Sequence, residues 1–198
     1  DTGVSTGSLR LQHQWVMFPA TGSYILDPVT GKLRRFSRLN IKNGNVTRDN
    51  KGNAWVHNYT GNVWYVNTST GDIKHFQFLS SEHLGYIDVE RYSIIHDSRD
   101  IIWITTYGNG LFAYDLNTGD LQHFTFEVSH SSHINSNYLQ YIIEDRSGGI
   151  WVSSEFSGLS HLEILNKGTL RIYPNGEDAS DRSNTIRMLL RGKNGNVY

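Results

Sequence analysis

The groups in this chain that could bind metals or move protons are nine His and nineteen Asp and Glu; Cys is absent. His130-Ser131-Ser132-His133 places two imidazoles three residues apart, the one metal-like pair. With no third ligand close in sequence it reads as polar loop rather than a metal centre. His75 and His123 occupy matching places in two repeats of the chain, as structural positions do. Asp97, Glu144 and Asp145 recur at one turn and read as turn caps rather than paired acid and base. No Ser/His/Asp order, phosphate-cradling Gly loop or His-Glu-x-x-His motif is present. The expectation is no catalytic residue, no metal and no cofactor.

Other residues suit recognition. Tyr59, Tyr86, Tyr107 and Phe156 are flat rings near the amides and acid of Asn58, Asn109, Asn137 and Glu155, with His133 among them. Rings pack on the C–H faces of sugars while amides and carboxylates bond the hydroxyls. The competing reading is plain solvated loop. What brings such residues together is a repeat. Trp15, Trp55, Trp103 and Trp151 are followed by Tyr198 in the same role, at spacings of 40, 48, 48 and 47. Gly31, Gly71 and Gly119 lie sixteen residues after their Trp, and Gly168 seventeen. Phe36, Phe76 and Phe124 lie twenty-one on, and Tyr173 twenty-two. Repeats of this length are sought before any other feature because they decide the architecture.

Each unit reads as four short strands. Tyr92–Asp97 and Tyr141–Asp145 alternate apolar residues with others, and Asp145-Arg146-Ser147-Gly148-Gly149 is a turn. Ile101–Thr106 carries the Trp, Gly110-Leu111 opens a third strand, and Thr118-Gly119 turns into a fourth. Four strands in about 48 residues is the arithmetic of a β-propeller blade. The fold class is therefore all-β, a propeller fragment of about four four-stranded antiparallel blades. The units run approximately over 1–39, 40–84, 85–132 and 133–180, with 181–198 starting a further blade, all in one partial propeller. Trp55, Trp103 and Trp151 are expected to be buried between blades, with Trp15, Gly71 and Gly119 as structural markers of the same repeat. The chain is expected to start after the first strand of its first blade, because no apolar run precedes Trp15. In a propeller the inter-blade connection and the loop between second and third strands open on one face. That face would gather Asn58, Tyr59, Tyr86, Tyr107, Asn109, His133, Asn137, Glu155 and Phe156, beside Glu82, His83 and Asn135.

Composition narrows the partners. Eighteen Lys and Arg against nineteen acids give a net charge of −1, without the basic cluster that phosphate backbones require, so no nucleic-acid face is expected. Apolar runs are a few residues long, far short of the ~20 that span a bilayer. Asp1-Thr2-Gly3 carries no basic n-region, so any export signal is expected to have been removed.

The stretches Ile142–Val152 and Ile102–Leu111 resemble two-component regulator propeller repeats, whose pattern is an acidic pair, a Gly turn, Ile-Trp-Ile-Gly-Thr and then Gly-Leu. Ser132–Tyr138 is similar to the lead-in that precedes that pattern. The resemblance covers nearly the whole chain and is poorest in the first unit. Thr105 and Ser153 stand where the family often has Gly, and His57-Asn58-Tyr59 where small residues are usual. The resemblance implies a non-catalytic periplasmic sensor region of a hybrid two-component histidine kinase of Bacteroides type, anchored by a membrane helix elsewhere in its parent. It further implies glycan fragments as ligands, neighbouring blades as partners and function as a homodimer. Closure of the blade arc by a second chain is the expected form, with closure inside one chain, the strands around Trp15–Phe36 completing those up to Tyr198, as the alternative. Asp115–Gly119 resembles part of a quinoprotein repeat and Asp49–Trp55 a sialidase Asp-box, each with the spacing off by a residue. A carbohydrate-active or quinone-dependent propeller enzyme and a protein-interaction propeller are the alternatives.

Overall fold

The computed structural model describes residues 7–58, 60–84, 92–127, 134–163 and 169–172, and eight positions between 186 and 197. The chain divides into two compact units, Asp1–Ser80 and Ser81–Tyr198. The first holds β1 (Ser8–Leu11), β2 (Gln14–Met17), β3 (Tyr24–Leu26) and β4 (Leu33–Arg35) as one sheet. Its second sheet is β5 (Asn45–Arg48), β6 (Ala54–His57), β7 (Asn62–Val66) and β8 (Ile73–Gln77). The second unit opens with a single helical turn, α1 (Ser81–Leu84). It continues as β9 (Ser93–His96), β10 (Ile101–Thr105), β11 (Leu111–Asp115) and β12 (Leu121–Phe124). Its other sheet is β13 (Leu139–Glu144), β14 (Ile150–Ser154), β15 (Leu159–Leu162) and β16 (Thr169–Ile172). All four sheets are antiparallel and pair in sequence order. The described residues thus form an all-β, propeller-type fragment of four four-stranded sheets.

A strand before Trp15 does exist, contrary to expectation. β1 pairs with β2, setting Leu9 opposite Val16 and Arg10 opposite Trp15. Only Leu9 and Leu11 turn inward while Ser8 and Arg10 face water, so the strand has alternation but no apolar run. β10 shows the other extreme. Ile101-Ile102-Trp103-Ile104 is apolar at every position because both faces of that sheet are covered.

In the second unit, Trp103, Leu111 and Ala113 of one sheet pack with Leu139, Ile142, Ile150, Val152 and Leu162 of the next. The inner strands β9 and β13 lie side by side, as radial blades require. In the first unit, Leu9, Leu11, Val16 and Ile25 share a core with Ala54, Val56 and Val66. There the Val16 face of β2 enters the core, and Trp15 is left 40% exposed on the other face. Trp15 thus departs from the Trp role set by Trp103. Its cross-strand neighbour is Arg10, where Trp103 has Ile95, and burying that face would desolvate a charge. Trp55 and Trp103 are buried. Trp151 is only half-buried, in a cavity of about 500 Å³ walled by Leu159, Ile186, Met188 and Leu189.

Turn chemistry repeats with the sheets. Asp49, Asp97 and Asp145 each accept the backbone N–H groups two and four residues on, at 2.8–3.0 Å. Between the third and fourth strands, Asp27, Asn67 and Asp115 accept N–H groups two and three on. The chain then closes through Gly31, Gly71 and Gly119 at φ 68°, 80° and 81°, the left-handed region that excludes most side chains. That requirement keeps Gly71 and Gly119 in step with the tryptophans.

Candidate functional site

The tryptophans are held by more than packing. The Trp103 indole N–H donates to Asp97 Oδ2 at 2.9 Å, and that of Trp151 to Asp145 Oδ2 at 2.7 Å. One carboxylate therefore caps the turn between strands one and two and ties down the Trp of strand two. Burial pushes the Asp97 carboxyl up, but the Trp103 indole, the Arg99 guanidinium at 2.6 Å and two backbone N–H groups outweigh it and hold it below its ordinary value. In Asp145 burial is likewise overcome, by Ser147, the Trp151 indole and backbone N–H groups, and the carboxyl is lowered to about 2. Both are ionised anchors rather than proton carriers. Glu144 is not a turn cap, as its spacing suggested. It accepts the N–H and hydroxyl of Ser98 and so straps the turn of one sheet to the first strand of the next.

At the opposite ends of the strands, three segments of the second unit meet: the β10–β11 loop, the lead-in to β13 and the β14–β15 loop. The carbonyl of Asn137 accepts the N–H groups of Gly108 and Gly110 at 2.8 and 3.0 Å. The Leu139 N–H donates to Thr106, and that of Glu155 to the carbonyl of Tyr138 at 3.0 Å. Tyr107 bridges to Tyr138, their rings edge-to-face at 5.1 Å and 73°. The lead-in is thus a rail clamped between two loops, carrying Tyr107, Tyr138 (49% exposed) and, one residue past Glu155, Phe156 (36% exposed).

The amides proposed for ligand contact have other work. The side-chain oxygen of Asn137 accepts the Phe126 N–H at 2.6 Å. The Asn109 side-chain amide donates to the carbonyl of His83, and the backbone carbonyl of Asn109 bonds His123 Nε2 at 2.7 Å. His123 stacks on Phe112 at 4.0 Å and 6°, with His83 tilted on the same ring at 5.3 Å. Asn135 is buried, bonded to Ser160 and to the carbonyl of Ser157. Glu155 is buried. Asn58 lies in the first unit, where it accepts the N–H and hydroxyl of Thr60 in its own loop. Tyr59, Tyr86 and His133, along with His130, lie outside the described residues. The structure therefore brings the segments of Tyr107, Asn109, Asn137, Glu155 and Phe156 together, with the Asn109 and Asn137 side chains bonded inward, Glu155 buried and the Phe156 ring exposed. Tyr138 was missed. Its signal was an aromatic following the polar run Asn135-Ser136-Asn137, in a lead-in whose backbone must reach the loops on both sides. Among the described residues no three His, Asp or Glu converge as metal ligands.

No protein-family model and no curated protein matches the sequence. Among solved structures, the chain is similar to the extracellular domain of the putative hybrid two component system BT4673 from B. thetaiotaomicron. Identity is 17%, TM-score 0.64, and the match covers 97% of this chain and 26% of that one. It is similar to the extracellular domain of the putative hybrid two component system BT3049 from the same organism, at 19% identity and TM-score 0.57 over 97% of this chain and 24% of that one. Selenomethionine-substituted virginiamycin B lyase from Staphylococcus aureus shares the fold at 13% identity and TM-score 0.54, over 86% and 56% of the two chains. The chain spans about a quarter of the length of the two extracellular domains. At these identities the likeness is one of fold, and it defines a propeller-type all-β chain. The class of protein that the repeat motifs resemble and the class that supplies these extracellular domains are the same.

Proposed function

We propose that this chain is a non-catalytic, ligand-recognising segment of the extracytoplasmic, periplasmic region of a hybrid two-component sensor, and that its ligand is a glycan fragment. The observation that carries the reading is the clamped rail of the second unit. It presents Tyr107, Tyr138 and Phe156 as rings while its amides are bonded within the protein. Likeness of fold to extracellular domains of hybrid two-component systems supports the sensor half of the reading. Ring stacking on sugar C–H faces supports the glycan half. On this reading the partners are an oligosaccharide, neighbouring blades of a longer protein and a second copy of the chain. Calorimetric titration with a panel of neutral oligosaccharides tests it. Tyr107→Ala and Phe156→Ala should each weaken binding by about 1 kcal/mol or more, and unchanged isotherms in both variants would overturn the site.

A further inference from the structure

The first unit holds a cavity of about 250 Å³ lined by Ser23, Arg35, Phe36, Ser37, Leu39 and Asn40. It lies between the residue before β3 and the segment leaving β4. That junction is tied by the Phe36 N–H to the carbonyl of Ser23 at 2.9 Å, and by the Ser23 hydroxyl to the backbone of Ile41. Phe36 and Leu39 are buried and form an apolar floor, whereas Arg35, Ser37 and Asn40 are exposed at its rim. No Asp or Glu lines the cavity with Arg35. Across the sheet from Arg35 stands Tyr24. Its phenol is lowered from its ordinary value by the Thr21 hydroxyl and, against some burial, by the Arg35 guanidinium.

The charge around this cavity is lopsided. Residues 1–80 carry nine Lys and Arg against four Asp and no Glu, a net of +5, although the whole chain is at −1. Three of those four acids are already spent on their own turns: Asp27 on Val29 and Thr30, Asp49 on Lys51 and Asn53, and Asp72 on Thr70. Such an excess draws anions toward the unit without selecting among them. A guanidinium selects, because its planar fork matches a carboxylate in two parallel bonds.

We infer that this cavity is a binding site for a small, ring-sized organic carboxylate. Arg35 holds the carboxylate, Ser37 and Asn40 bond polar groups on the ring, and Phe36 with Leu39 supports its apolar face. The volume lies just below the ~300–1,000 Å³ of drug-sized pockets, which limits the occupant to about one ring. The site is built from residues of the first unit alone, whereas the aromatic rail is built from residues of the second.

Glucuronate titrated into the full chain at low ionic strength tests the inference, with glucose and inorganic sulfate as comparators. Saturable glucuronate binding is expected, with glucose and sulfate each weaker by about tenfold or more, the loss of one good bidentate pair or of the ring contacts. Arg35→Gln should lose about tenfold, while Arg34→Gln should stay within about twofold. Arg34 neighbours it in β4 but lies on the opposite face of the strand, so the two variants remove the same charge. Ser37→Ala with Asn40→Ala, at two exposed positions, should lose about fivefold and carries the test should Arg35→Gln disturb folding. Absence of saturable glucuronate binding overturns the inference, as does equal loss in Arg34→Gln, which would show only a diffuse field. Sulfate binding as tight as glucuronate would reduce the site to a bare oxyanion hole and overturn the ring. Loss of glucuronate binding in Tyr107→Ala would move the anion to the other unit.

Discussion

The bracket between Asp97 and Trp103 makes a quantitative claim about stability. Trp103 is 2% exposed, packs in the core shared by the two sheets of its unit, and stacks on Phe124 at 5.9 Å and 28°. Replacing it with Ala removes the ring and leaves a cavity, a loss of about 3–5 kcal/mol. Replacing it with Phe keeps most of the apolar contact but deletes the N–H that Asp97 accepts at 2.9 Å. A hydrogen bond to an ionised group is worth about 1.5–3 kcal/mol, so Trp103→Phe should cost about 2–3 kcal/mol once the smaller ring is included. Asp97→Ala should cost more than the indole bond alone, because it also frees the N–H groups of Arg99 and Ile101 and the Arg99 guanidinium. The decisive quantity is the coupling in a double-mutant cycle of Trp103→Phe and Asp97→Ala, measured by urea unfolding of the full chain. A coupling of about 1.5 kcal/mol or more is expected. Additivity within about 0.3–0.5 kcal/mol, the behaviour of independent sites, would refute the bracket.

Asp145 has a folded pKa of about 2 against an ordinary 3.8, so its stabilisation is fully present above pH ~4 and is lost as pH falls toward 2; Asp145→Asn should flatten that limb of an acid titration followed by Trp fluorescence. Trp15→Ala should cost under about 1 kcal/mol in urea unfolding, against several for Trp103→Ala, since its indole already stands in water. Gly110→Ala should destabilise by about 2 kcal/mol or more in the same assay and disturb the Tyr107–Tyr138 pair. Gly110 has φ +73°, and a Cβ there would sit 2.3 Å from the Phe124 carbonyl oxygen.

The repeat was legible because its markers answer local demands. Gly71 and Gly119 must sit at positive φ, and Asp49, Asp97 and Asp145 must cap a turn within four residues of themselves. Such constraints act inside one hairpin and so leave fixed spacings in the chain. Four strands per unit, and no long helix among the described residues, followed directly. β1 escaped because a strand covered on one face needs only Leu9 and Leu11, too few to register as an apolar run.

Tertiary structure alone decided which face of each sheet is covered. Spacing assigns Trp15 and Trp103 one role, yet Arg10 across from Trp15 and Ile95 across from Trp103 send the two rings to opposite fates. The same holds for the candidate site. Loop position led to an expectation of Tyr107, Asn137 and Phe156 on one face, and their segments meet at one end of the second unit. Only the contacts revealed that the side-chain amides of Asn137 and Asn109 are spent on Phe126 and His83, while the Tyr138 ring of the same lead-in stands exposed. A backbone turn is written in four or five consecutive residues. Whether an amide faces a ligand or a neighbouring carbonyl depends on partners ten to thirty positions away, and no local pattern in the chain encodes them.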